Sequence, residues 1–171
     1  IFSAEDFFGE SGLLELSHRG ESAVALENTA LMAWSTQEIE DQVDRQPKLG
    51  LALIQMLHFD RGLVLVVDDQ EHALVFGAYS HAAPDAASQV MLEQMRFELG
   101  DLARDALFGH WSSGAPVLVK DPDVYIDSRL TWAMTLLDLR QFYGVPLMLG
   151  TTFRGVVIAD NSLTDVPITR E

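Results

Sequence analysis

Two apolar runs separated by a short polar turn dominate the C-terminal part of the chain. The first run extends from Gly144 to Leu149, and the second, Val156 to Ala159, is largely β-branched and stops at Asp160-Asn161. Gly150-Thr151-Thr152 and Arg154-Gly155 are predicted to supply the turn, so the pattern predicts a buried β-hairpin. Pro146 is compatible with this hairpin because a missing N–H costs least near a strand start or at a sheet edge.

Shorter apolar stretches in the N-terminal third predict two strands followed by two helices. Residues 22–26 (SAVAL) and 29–34 (TALMAW) have the composition of short strands. Ser35 and Glu38 have the spacing of a capping box, which predicts that a helix begins there. Pro47 interrupts the apolar spacing, and a second helix is predicted to continue to about His58.

From Arg61 onward the pattern predicts a sheet with helices on its faces. Strands are expected at 62–67, 73–79 and 116–119, before the hairpin. One amphipathic helix is predicted over 88–108, from apolar residues at steps of three and four: Met91, Met95, Leu99, Leu102 and Ala106. Residues 108–115 are predicted to form a loop, and Ser128 to cap a helix ending near Leu139. The predicted fold class is α+β, with an antiparallel sheet of about six strands.

Composition and charge narrow the classes of function. The 171 residues are 48% hydrophobic, enough for a core, but 26 acidic against 11 basic residues give a net charge of −15. Nucleic acid and anionic membrane surfaces need clustered cations, so neither is expected as a partner. The chain has no cysteine, which excludes disulfides and thiolate chemistry. No apolar run approaches a membrane span and no signal peptide is recognisable, so a cytoplasmic segment excised from a longer protein is expected.

The candidate chemistry gives no sign of an enzyme. The histidines are scattered and lack metal-binding spacing: His18, His58, His72, His81 and His110. The acidic residues Asp68, Asp69 and Glu71 are interpreted as a solvated hairpin turn. Ser112-Ser113-Gly114 lacks the surroundings of a nucleophile elbow. No catalytic residue and no metal site is therefore predicted.

Two groups of residues could contact a small ligand. Aromatic side chains could line a pocket between sheet and helices, although core packing is the commoner role for such residues: Phe97, Trp111, Trp132, Phe142 and Tyr143. Gly9 and Glu10, together with Ser22 and Ala23, could hold a ribose and a phosphate near a helical turn. Glu21 stands where a phosphate would need a cation, so a purely structural turn is the alternative.

Residues 58–171 resemble a GAF domain. The resemblance rests on Asp60-Arg61-Gly62 leading into LVLVVDD, on Pro116 to Asp121, and above all on GVPLMLGTTFRGVVIADNSLTDVPITRE. It implies a regulatory, small-molecule-binding and dimer-forming module. The absence of cysteine departs from the bilin-binding branch of the family and from its methionine sulfoxide reductases.

Residues 1–57 resemble the second half of a cyclic-nucleotide-binding β-roll of the catabolite-activator type. Asp6 to Glu10 is similar to the start of its phosphate-binding cassette, and Ser22-Ala23 to the end. The alternative is that residues before the sheet form only a helical extension of the GAF-like domain. Either interpretation places a domain boundary near residues 58–60.

The sequence therefore predicts a sensory module that binds a nucleotide or metabolite and relays its state to an attached output domain, as a homodimer. The cofactor is left unknown. A ligand-free dimerisation or interaction module of a signalling protein or transcription regulator is the alternative. The residues after Thr169 are predicted to begin a helix.

Overall fold

The computed structural model of the chain describes residues 22–56, 59–80, 86–125, 128–164 and 168. Two helices come first, α1 (Thr36–Arg45) and α2 (Lys48–Met56), followed by the strands β1 (Arg61–Asp68) and β2 (Ala73–Tyr79). Next come α3 (Ala86–Glu93), β3 (Arg96–Glu98), α4 (Leu99–Leu102), α5 (Ala106–Ser112) and β4 (Val117–Val119). A 3-10 turn (Pro122–Tyr125), α6 (Thr131–Leu136), β5 (Phe142–Leu149) and β6 (Thr152–Asp160) complete the order.

The strands form one six-stranded antiparallel sheet in the order β3-β2-β1-β6-β5-β4. The predicted hairpin is confirmed as β5 and β6, joined at Gly150, whose φ of 61° suits glycine. Pro146 lies beyond the end of β4, which pairs with β5 only as far as Gly144, so one side of β5 has no neighbour there. The predicted α+β class and the six antiparallel strands are confirmed.

The sheet has a different layer on each face. On the first face, helices α3 to α6 cover a core in which Leu65, Leu74, Trp111 and Phe142 are fully buried. On the second face, α1 packs against β5 and α2 packs against β1, and Val43 of α1 is buried in the cluster between them. We refer to these as the core face and the α1/α2 face.

The start and the break of the N-terminal helices follow the sequence closely. The Ser35 hydroxyl accepts from the Glu38 amide, and Glu38 accepts from the Ser35 amide at 2.7 Å, which completes the predicted capping box. α1 ends at Arg45, immediately before Gln46-Pro47, and α2 resumes at Lys48.

Four predictions of secondary structure are wrong. The helix predicted over 88–108 is instead α3, β3 and α4, because residues 96–98 pair with β2 and form an edge strand of the sheet. The loop predicted over 108–115 is largely α5, which Asp105 caps by accepting from the Phe108 amide. Arg154-Gly155 lies within β6 instead of in the turn. Residues 22–34 form no strands and are exposed.

The cassette-like residues 6–10 and the helix predicted from Thr169 lie outside the described residues. Ile168 is buried, and its carbonyl accepts from the side-chain Nε2 of Gln141 at 3.5 Å, so Ile168 lies beside the start of β5. The domain boundary near residues 58–60 stays a prediction.

Candidate functional site

Two of the predicted aromatic residues, Phe97 and Trp132, meet at an open cleft. Their rings are in edge-to-face contact, with centroids 6.4 Å apart and an interplanar angle of 65°. They line a cleft of about 330 Å³ between β3, α4 and the start of α6. Trp132 is 42% exposed, so part of its indole is available to a ligand. We name this site the Phe97/Trp132 cleft.

Charged side chains surround the aromatic pair. Arg129 pairs with Asp101 at 3.1 Å, and Arg96 pairs with Glu98 at 2.7 Å and also with Glu71. All of these side chains are more than one third exposed, so the ion pairs contribute little to stability and can exchange partners. The cleft therefore offers two guanidinium and two carboxylate groups around an aromatic surface.

Asp105 fixes the wall of the cleft that carries Arg129 and Trp132. One of its carboxylate oxygens accepts from the Phe108 amide at the start of α5. The other accepts from the Ser128 hydroxyl at 2.7 Å and the Arg129 amide at 2.8 Å. Ser128 thus has a different role from the predicted helix cap, since its hydroxyl is held by Asp105 and accepts from the Leu130 amide.

Trp111 and Phe142 lie in the core instead of lining a ligand pocket. Both are fully buried, and Trp111 packs flat against Gly144, where an added Cβ would come within 2.6 Å of the indole ring. The indole N–H of Trp111 has no hydrogen-bond partner among the described residues. The centre of the core face is therefore closed by packing.

Tyr143 lies on the other face of the sheet from Phe142. It borders a groove between α1, α2 and β5, whereas Phe142 belongs to the core cluster. Neighbouring residues of a strand point to opposite faces, so the predicted strand already implied that these two could not share a pocket. Of the five aromatic candidates, the structure brings together only Phe97 and Trp132 at an open site.

The cassette-like candidates form no site in the described part of the chain. Ser22 and Ala23 are exposed. Gly9 and Glu10 lie outside the described residues. A β-roll is not seen in residues 22–56, which are extended and then helical.

A buried ion pair between Arg61 and Asp160 was missed by the sequence reasoning. Asp160, the last residue of β6, is 2% exposed, and Arg61, the first residue of β1, is 9% exposed; the two residues are cross-strand neighbours on the core face. Arg61 donates from Nε and Nη2 to the Asp160 carboxylate at 2.9 to 3.2 Å. Its Nη1 donates to the Leu137 carbonyl at 2.9 Å, and Nη2 donates to the Asp138 carbonyl at 3.4 Å. One side chain thus joins the end of α6 to the end of β6.

The electrostatics of this cluster favour the charged pair. Burial lowers the pKa of Arg61, but hydrogen bonding and attraction to Asp160 outweigh burial, so the pKa is raised overall. Burial is also the main cause of the raised pKa of Tyr79, which lies beside Arg61 and Asp160. Arg61 is therefore held in its charged form.

The chain leaving β6 is held by Asp60. Its carboxylate accepts from the Leu163 amide at 3.0 Å and from the Thr164 amide at 2.8 Å. Burial raises the pKa of Asp60, but the hydrogen bonds from Thr164 and Leu163 outweigh it and lower the pKa overall. The Asp160 carboxylate also accepts from the Ser162 amide at 2.8 Å, so the exit of β6 is tied to the Arg61 pair.

Neither a metal-binding cluster nor a membrane-spanning helix is found in the described ranges. No group of three or more histidine or carboxylate side chains there is placed to hold a metal ion. No helix within those ranges has the length and apolar character needed to cross a membrane.

Comparison with solved structures identifies the fold. No family model and no curated protein matches the chain. A GAF domain/HD domain protein from Geobacter sulfurreducens is similar, with a TM-score of 0.57, 15% identity, and coverage of 76% of this chain and 81% of that one. The PixJ GAF domain of Thermosynechococcus elongatus is similar with a TM-score of 0.53, 19% identity, and coverage of 78% and 77%.

A third similar structure covers residues 122 to 287 of a methyl-accepting chemotaxis protein. Its TM-score is 0.53 at 22% identity, with 72% of this chain and 76% of that chain covered. The sheet order and the helices on both faces thus define a GAF-like fold, which confirms the predicted resemblance for the sheet-containing part of the chain.

Proposed function

We propose that this chain is a regulatory sensor module that binds a small molecule in the Phe97/Trp132 cleft. The observation that carries the proposal is the partly exposed aromatic pair beside two guanidinium groups, in an open cleft on the core face. Concave sites with aromatic walls and a few polar groups are typical of small-molecule binding. The GAF-like fold supports a regulatory role by analogy alone.

The lining of the cleft favours a planar ring compound with an acidic or polar substituent, such as a nucleotide or an aromatic metabolite. The exposed part of Trp132 can stack on a ring. Arg129 and Arg96 can donate to an acidic group once their surface ion pairs with Asp101 and Glu98 open. Compounds without a ring lose the stacking contribution and bind more weakly.

The signal passes from the cleft to the end of the sheet through α6. Trp132 is the second residue of α6, and the carbonyls just beyond its last turn accept hydrogen bonds from Arg61. A ligand that shifts α6 changes the position of Arg61 and therefore of Asp160 and the chain that follows. Such coupling requires that the ligand bind two arrangements of α6 with different affinity.

Thermal unfolding with a panel of nucleoside monophosphates, cyclic nucleotides and aromatic amino acids tests the binding step. A compound that binds the folded state raises Tm by mass action. Trp132→Ala is expected to abolish that increase, while Trp34→Ala, which alters an exposed tryptophan outside the cleft, leaves it unchanged. A compound that raises Tm equally in wild type and Trp132→Ala would contradict the proposed site.

An interaction module without a ligand is the second candidate function. It is favoured by residues 22–34, which expose large apolar side chains to an extent unusual in an isolated domain: Val24, Leu26 and Met32 at 82%, Leu31 at 67% and Trp34 at 57%. This function predicts no thermal shift with any compound in the panel. It also predicts that Met32→Ser lowers self-association or partner binding, which light scattering measures, and the proposed homodimer is tested in the same experiment.

A further inference from the structure

A groove on the α1/α2 face is separate from the Phe97/Trp132 cleft and goes beyond the proposed function. It lies where α1 and α2 diverge over β5 and β6. Ile39 and Val43 form one wall, Ile54 and Phe59 the other, and Val145 lies on the floor. We name it the α1/α2 groove.

One carboxylate stands in this apolar groove. Glu40 is half-buried on α1, one turn from Thr36 and Val43, which also line the groove. The pKa of Glu40 is raised to about 7, mainly because the carboxylate is partly buried and secondly because Asp41 carries a like charge beside it. No cation and no hydrogen-bond donor among the described residues offsets these two effects.

None of the other described groups around Glu40 offsets its negative charge. Within the lining of the groove, Tyr143 is the only other titratable side chain, since α2, the segment before β1 and strand β6 contribute apolar residues. Asp41 is the neighbour of Glu40 on α1, and Asp44, one turn further along α1, pairs with Arg154 at 3.6 Å. An acceptor that is partly removed from water without a partner stabilises a cation brought to it.

The size of the groove limits what can fill it. Its volume is about 70 Å³, roughly half of the ~150 Å³ apolar cavity that holds a benzene ring. A short alkyl chain therefore fits, and a fused aromatic ring does not. The required ligand combines a short apolar chain with a positive charge at one end.

We propose that the α1/α2 groove binds a short alkylammonium group, whose chain lies against Val145 and Ile54 and whose ammonium pairs with the Glu40 carboxylate. A free alkylamine and the side chain of a lysine on a partner both have this chemistry. Binding requires the ionised carboxylate and is therefore tighter at pH 8 than at pH 5.5.

Amide chemical shifts followed during titration with n-butylammonium chloride at 150 mM NaCl test this proposal. We expect shifts centred on Glu40, Gly50 and Val145, and an affinity about tenfold or more weaker in Glu40→Gln, because a charge-assisted contact is replaced by a neutral one. The control Glu93→Gln removes an exposed charge on α3, outside the groove, and leaves the affinity unchanged. Val145→Phe fills the groove and abolishes binding while Glu40 stays in place.

Three further ligands separate the contribution of the alkyl chain from that of the ammonium charge, and a free amine from a lysine side chain. Ammonium chloride lacks the chain and n-butanol lacks the charge, so both bind about tenfold or more weakly. Nα-acetyl-lysine methylamide binds as n-butylammonium does if a lysine side chain can enter, and fails to bind if only a free amine fits. Equal affinity of wild type and Glu40→Gln, or shifts spread over the acidic surface instead of the groove, would overturn the proposal. Neither result depends on the Phe97/Trp132 cleft, which is on the other face.

Discussion

Replacement of Arg61 by methionine tests the buried pair that joins α6 to β6. The variant removes the hydrogen bonds from the guanidinium to the Asp160 carboxylate and to the carbonyls of Leu137 and Asp138. Asp160 stays buried, with the Ser162 amide as its remaining donor. Loss of one partner from a buried pair costs about 3–5 kcal/mol. Because the Ser162 amide still stabilises the carboxylate, we expect about 3 kcal/mol.

This loss is a large share of the roughly 5–15 kcal/mol by which domains are stable. Urea unfolding followed by tryptophan fluorescence measures this loss of stability: the midpoint urea concentration falls, while the dependence of the free energy of unfolding on urea concentration stays unchanged. Arg140→Met is the matched control, because Arg140 is 67% exposed and reaches Asp138 only at 3.7 Å, so about 0–1 kcal/mol is expected.

The double variant Arg61→Met/Asp160→Leu separates the charge effect from lost packing. With no carboxylate left in the core, it is expected to recover part of the stability lost in Arg61→Met. A loss below about 1 kcal/mol in Arg61→Met would refute the inference that the pair is buried and mutually dependent. A double variant less stable than Arg61→Met would show that the cost lies in packing.

Three further predictions concern local features. Gly144→Ala places a Cβ 2.6 Å from the Trp111 ring and should lower the free energy of unfolding in urea by about 1–3 kcal/mol. The control Gly109→Ala, in a helix where the added Cβ meets open space, should raise it by about 0.5–1 kcal/mol. Equal effects of the two substitutions would contradict the close packing of Trp111 on Gly144. Ser35→Ala removes the capping hydroxyl and should lower the free energy of unfolding by about 1 kcal/mol; no change would mean that α1 does not depend on its cap. The pKa of Glu40 is raised to about 7 in the fold, so wild type should lose stability relative to Glu40→Gln as pH rises from about 4.5 to 7. The expected loss is about 1 kcal/mol once solvent screening is allowed for. A difference in the free energy of unfolding between the two proteins that stays the same from about pH 4.5 to 8 would contradict the burial of Glu40.

Local patterns predicted the elements whose determinants are close in sequence. The capping box at Ser35, the break before Pro47 and the β5–β6 hairpin each depend on residues a few positions apart. The helix predicted over 88–108 is wrong because its apolar spacing is also satisfied by a helix, a strand and a second helix in succession. Pairing of residues 96–98 with β2, a long-range contact, decides between them.

The candidate site was predictable only in part. Phe97 and Trp132 were among the aromatic candidates, but nothing local indicated that these two would meet while Trp111 became core. Arg61 and Asp160 lie 99 positions apart in the chain, and each taken alone resembles a polar residue at the end of a strand. Their pairing follows from the register of β1 and β6, which the sequence does not reveal.

Hydrogen exchange at the Thr164 amide, which donates to the Asp60 carboxylate, tests most directly whether the Phe97/Trp132 cleft communicates with the exit of β6. Exchange is measured with and without a saturating concentration of a compound whose effect on Tm requires Trp132. The relay predicts a several-fold change in wild type that disappears in Arg61→Met, although the compound still binds. An unchanged exchange rate in wild type with the cleft saturated, or an identical response in Arg61→Met, would contradict it.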